Sequence, residues 1–137
     1  MSIHRLAPGP PRVFDLATED GKSSLSGLLT PPNDVWMRAI MVATAAGETR
    51  DSRGSSAGLS KGEDRRLLHL HREVSDAIVL GRQTLDRERI PLPQNTPLVV
   101  LSLSGQIAAD NLVGAEESEH PLVVVTSAGG KEHVHRY

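Results

Sequence analysis

The chain of 137 residues contains no cysteine. Disulfides, thiolate metal sites and cysteine nucleophiles are therefore excluded. Aromatic residues are almost absent: Phe14, Trp36 and Tyr137 make up the whole set. A core must be aliphatic, and the stacking platforms that hold single-stranded nucleic acid are missing. Positive charge is not in excess either. Lys and Arg total 15 against 17 Asp and Glu, a formal net charge of −2, so no basic field points to nucleic acid. No apolar run is long enough to span a membrane and no signal-peptide core is visible. A cytoplasmic protein is expected. The chain has no dinucleotide fingerprint G-x-G-x-x-G, no phosphate loop G-x-x-x-x-G-K-[ST] and no nucleophile elbow.

What remains is the composition of a globular protein, 38% hydrophobic and 23% charged, long enough for one domain with its own core. Residues 1–34 are rich in Pro, Gly and Ser. Pro8, Pro10, Pro11, Pro31 and Pro32 interrupt regular elements, so an N-terminal arm is expected there. The domain proper is expected over 35–137.

Residues 35–44 (VWMRAIMVAT) are apolar almost without interruption. So short a run suits a strand buried on both faces, with Arg38 at its edge or mouth. Residues 45–58 carry Gly47, Gly54 and Gly58 among polar residues, which is a loop. A helix is expected over 60–73. Ser60 and Glu63 fit the capping box S-x-x-E, acidic residues open the first turn, Arg72 lies in the last, and Leu67, Leu70 and Val74 form one stripe. Strands are expected at 77–80 (AIVL), 98–101 (LVVL) and 122–126 (LVVVT), with a helical turn near 84–89 and weak helix or loop at 107–112. Strand, helix, strand in this order implies parallel pairing, hence an α/β architecture with strands buried on both faces.

In such a sheet, ligands bind beyond the carboxyl ends of the strands. Those ends are residues 44–58, 81–89 and 102–106. The N-terminus of the 60–73 helix suits a phosphate, and Gly58 permits close approach to the backbone. Gly81-Arg82-Gln83-Thr84 follows a strand directly, so Arg82 can pair with a phosphate and Thr84 can offer a hydroxyl. The same residues also read as a turn at Gly81 and a helix cap at Thr84. His69 and His71 are two apart on a helix and cannot chelate one ion together. His133 and His135 would share a face only if the tail were a strand, and no metal is expected.

The register of Arg38, Gly47, Ser56, Gly58, Ser60, Asp64, Leu68, Arg72, Asp76, Gly81 and Thr84 resembles the RibD C-terminal, or pyrimidine reductase, family. That family has a dihydrofolate-reductase-like fold, a sheet with flanking helices. The phrase AIVLGRQT is similar to the segment whose Gly-Arg-x-Thr contacts NADPH phosphates. The resemblance is good from Trp36 to Thr84 and extends to Thr126, covering the N-terminal half of such a domain, so an incomplete sheet is expected. It implies NADPH-dependent reduction of a phosphorylated ribosylaminopyrimidine in riboflavin biosynthesis. By position, Gly58, Ser60, Gly81, Arg82 and Thr84 would hold NADPH. Ser56 and Arg72 would meet the pyrimidine substrate, and Glu88 would lie on the nicotinamide side as the catalytic group. Two positions depart from the pattern. Ala46 stands where the family turn S-L-D-G carries a carboxylate, and Glu88-Arg89-Ile90-Pro91-Leu92 replaces D-P-x-L-T. The departures and the short span leave a second reading, a non-catalytic module that binds a nucleotide or a partner. A half-sheet leaves an apolar edge bare, so a homodimer is expected.

Overall fold

The computed structural model describes residues 2–5, 9–114, 119–120 and 122–134. Pro8, His135 and Tyr137 lie outside them, and with them the face that His133 and His135 were expected to share. The chain divides into two compact units. One comprises Met1–Asp51 and Ser56–Val74, the other Ser52–Ser55 and Ser75–Tyr137.

The first unit begins with a hairpin. Strand β1 (Ile3–Arg5) pairs antiparallel with β2 (Arg12–Phe14), Ile3 opposite Phe14. Helix α1 (Glu19–Leu29) follows. Thr18 caps it, its hydroxyl accepting from the Gly21 amide at 3.1 Å, and Glu19 and Asp20 lie in the first turn, where the helix dipole favours them. The region expected as an arm thus contributes a core. Phe14, Leu16 and Leu25 are buried with Leu70, and Ile3, Leu29 and Leu67 pack against them. Hydrophobic spacing within 12–29 outweighs the flanking prolines. The compact units divide after Val74 and not at residue 34.

Helix α2 (Glu63–Glu73) supplies Leu67 and Leu70 to that core. Its N-cap falls two residues later than the capping-box reading implies. The N-cap is Gly62, at φ +56°, with no side-chain cap; glycine tolerates that left-handed backbone where other residues strain. Ser60 instead donates its hydroxyl to the Asp64 carboxylate.

Residues 35–44 form no strand. Val35, Met37 and Met41 are exposed, and among the described residues no backbone–backbone hydrogen bond is made from 35 to 43. Local apolarity marks what a segment can bury, but a strand also needs a neighbouring edge to bond.

The second unit is built on a parallel sheet of strand order β3-β5-β7, namely Ile78–Gly81, Leu98–Leu101 and Leu122–Val125. Helix α3 (Arg82–Arg87) leaves β3 directly. A short parallel pair, β4 (Ile90–Pro91) and β6 (Leu112–Val113), lies alongside in sequence, with a 3-10 turn at Ala109–Asn111 before β6 and another at Ala128–His133 after β7. The architecture is α/β. Registered rows place Ile78 beside Leu98 and Leu122, and Leu80 beside Val100 and Val124. Around them Leu85, Ile90, Leu98 and Val100 form the buried core. The expectation of burial on both faces fails. Burial alternates along each strand, and Val79, Leu101, Val123 and Val125 face outward and exposed, since the buried cluster lies on one face only.

Candidate functional site at the carboxyl edge of the sheet

The expected site residues divide between the two units. Ser56, Gly58, Ser60 and Arg72 belong to the first, and Gly81, Arg82, Thr84 and Glu88 to the second.

In the first unit, the Ser56 carbonyl accepts from the amides of Leu59 (2.9 Å) and Ser60 (3.1 Å), closing the turn before α2. Gly58 does not stand open to a ligand: a side-chain carbon there would collide with the Asp51 carboxylate. Ser60 is buried and engaged with Asp64, and Glu63 pairs with Arg66 at 2.8 Å. Two carboxylates therefore already occupy the first turn of α2, which opposes the expected phosphate there. Arg72 lies half-buried in the last turn. A cleft of about 480 Å³ runs past Leu16, Lys22, Arg66, His69, Leu70 and Glu73. None of the expected residues lines it, and its cations are paired, Lys22 with Glu19 and Arg66 with Glu63.

The first unit also contains a contact that sequence reasoning missed. Arg38 donates to the Leu29 carbonyl at 3.0 Å, and its other terminal nitrogen lies 3.3 Å from Nδ1 of buried His71. A guanidinium only donates, so Nδ1 accepts and the imidazole is neutral. Burial, and then the Arg38 charge, hold the His71 pKa below the ordinary value of 6.5.

The second unit brings polar groups together at the carboxyl ends of its strands. Gly81 ends β3 with φ −82° and ψ 151°, ordinary extended backbone, and a side-chain carbon there would meet nothing within 4 Å. Gly81 is the junction at which β3 passes into α3, and its backbone does not require glycine. The space over it is open. Arg82 spans the edge. Its Nε donates to Asp86 at 2.8 Å and its Nη1 to Ser104 Oγ at 3.2 Å. The loop after β5 is tight. Buried Ser102 donates to the Gln106 carbonyl at 2.7 Å, and the Gln106 amide donates to Ser104 Oγ at 3.4 Å. Gly105, at φ +75°, packs against the Gly130 backbone so closely that no side chain fits. Thr126 and Ser127, after β7, donate to the Leu103 carbonyl at 3.2 and 2.8 Å.

Thr84 is not a cap. It lies inside α3, exposed, with its carbonyl accepting from the Glu88 amide at 2.9 Å. Glu88 closes α3 at its C-terminus and accepts from the Ser55 hydroxyl at 3.1 Å. Ser104 is the residue sequence reading did not single out. Its signal was available, as a second serine three residues past the end of β5, but no local pattern shows that it meets Arg82. Among the described residues, no three His, Asp or Glu side chains gather as a metal site, and no helix is long and apolar enough to cross a membrane.

Comparison with protein-family models, with curated proteins and with solved structures finds no match to this chain.

Proposed function

We propose that the chain is an NADPH-dependent reductase of the riboflavin-pathway pyrimidine reductase type, with a dihydrofolate-reductase-like fold and the cofactor's phosphates at the carboxyl edge of β3 and β5. The observation that carries the phosphate site is Arg82, held at the end of β3 and reaching Ser104 after β5. A guanidinium, a neighbouring hydroxyl and open space over Gly81 suit a phosphate, which accepts several charge-assisted hydrogen bonds. The reductase class itself rests on the sequence register from Trp36 to Thr84, and the pyrimidine substrate follows from the same resemblance. The chemistry would be the cofactor's hydride transfer, with the protein supplying position and charge.

A second reading, a nucleotide-binding module without turnover, is favoured by Glu88. Its carboxylate is engaged by the Ser55 hydroxyl, and Ala46 leaves no carboxylate in the turn before Gly47. Calorimetric titration with NADPH, and with NADH as control, tests the site. Saturable micromolar binding that prefers NADPH is expected. Absence of binding by folded protein would overturn both readings. Binding without NADPH oxidation in the presence of a ribosylaminopyrimidine would leave the module.

A further inference from the structure

The first unit holds a cleft of about 480 Å³ that the proposed cofactor site does not use. That size lies within the roughly 300–1,000 Å³ of small-ligand sites. Every residue lining it belongs to the first unit. Leu16, before α1, and Leu70, on α2, are buried and give it an apolar floor. Its polar lining comes chiefly from one face of α2. Arg66, His69 and Glu73 stand at i, i+3 and i+7, so they follow one another along two turns of the helix. Arg66 gives Nη1 to Glu63, and its Nε and Nη2 have no partner among the described residues. The His69 and Glu73 side chains have none there either. Lys22, from α1, adds a second cation to the lining. Its pair with Glu19 is exposed on both sides, and an exposed pair gives way readily to another anion.

Opposite charges thus stand at the two ends of this helix face, the guanidinium of Arg66 nearer the start of α2 and the carboxylate of Glu73 at its end. The helix rise separates their Cα atoms by about 10 Å along the axis. A free amino acid carries its ammonium and carboxylate on one residue, too close together to meet both. Three extended residues span about 10 Å. We infer that the cleft binds a short peptide with free termini, about three residues long. Its carboxylate pairs with Arg66 in the added field of Lys22, and its ammonium pairs with Glu73. An apolar middle side chain rests on Leu16 and Leu70, and a peptide group is offered to the His69 imidazole, which can donate or accept.

Calorimetric titration of the full-length protein with the tripeptide alanyl-leucyl-alanine tests this, with its N-acetylated form, its C-amidated form and free leucine alongside. Saturable binding in the micromolar to millimolar range is expected for the free tripeptide. Blocking either terminus should weaken it roughly two- to fivefold, the range of an exposed ion pair, and leucine should bind more weakly still. Glu73 and Arg66 are exposed, so Glu73→Gln and Arg66→Gln are expected to keep the far-ultraviolet spectrum unchanged. Glu73→Gln should lower affinity for the free tripeptide and remove most of its advantage over the N-acetylated form. Arg66→Gln should do the same with respect to the C-amidated form, because each variant and its blocked terminus delete the same contact. The inference is overturned if the folded protein does not bind the tripeptide, or if leucine binds as tightly. It is equally overturned if blocking a terminus weakens binding to the same extent in the unmodified chain and in the corresponding variant. None of these outcomes depends on nucleotide binding.

Discussion

Arg82 Nη1 donates to Ser104 Oγ across 3.2 Å, tying the carboxyl end of β3 to the loop after β5. A second donor on the same guanidinium, Nε, binds Asp86 one helical turn away. The ion pair with Asp86 is exposed and contributes little to stability, so its geometry matters more for aiming the guanidinium than for holding the fold.

Arg82→Ala is expected to weaken NADPH binding by about 1.5–3 kcal/mol, roughly ten- to a hundredfold, with a smaller loss for NADH. Ser104→Ala should weaken NADPH by about 1 kcal/mol. Calorimetry with both cofactors checks this, and an equal loss for the two would remove Arg82 from phosphate recognition.

Gly81→Ala separates a structural glycine from a ligand-facing one. Its backbone is ordinary and its surroundings open, so alanine should leave stability unchanged or raise it by about 0.4–1 kcal/mol, because glycine has the more flexible unfolded chain. Nucleotide affinity should fall at the same time. A loss of stability in urea unfolding would show that the chain itself needs glycine there.

Leu85→Ala should destabilise the second unit by about 2–5 kcal/mol, since Leu85 is wholly buried among Ile90, Leu98 and Val100. Val79→Thr on the outward face should change the monomer's stability by less than about 0.5 kcal/mol. Urea titration of both variants checks the one-sided burial of the sheet, and similar losses would contradict it.

His71 makes stability depend on pH. Its pKa is lowered in the folded state by burial and by Arg38, so the folded chain binds fewer protons than the unfolded one in that range. The stabilisation is complete above the unfolded value of about 6.5 and is lost as pH falls through the lowered one. Urea midpoints should therefore fall between about pH 7.5 and pH 5.5, and fall less in His71→Gln. A histidine titration by NMR with its midpoint above the ordinary value would refute the assignment.

Much of the second unit was legible in order along the chain. Strand 98–101 is found where LVVL stands, 78–81 within one residue of its expected span, and 122–125 inside LVVVT. Short β-branched runs between turn residues carry that information locally. Helix α2 was legible from its stripe, but its start was not. Ser60 and Glu63 have the spacing of a capping box, yet Ser60 donates to Asp64, and glycine at 62 enters the helix instead. Two groups competing for one hydroxyl differ by about a kilocalorie per mole, which spacing does not resolve.

By itself the sequence determined the absence of thiol chemistry, the aliphatic core of the second unit, the parallel α/β character and the polar residues at the strand ends, because these depend on residue type and short-range periodicity. Tertiary structure alone decided that Phe14, Leu16 and Leu25 of the expected arm build a core with Leu70 of α2. It also decided that 35–44 forms no strand, that the buried cluster lies on one face of the sheet, and that Arg82 meets Ser104 while His71 meets Arg38. Each of these is a pairing between residues distant in the chain. Such pairings are selected by the cooperative packing of the whole unit, and no local pattern encodes which of several suitable partners will be reached.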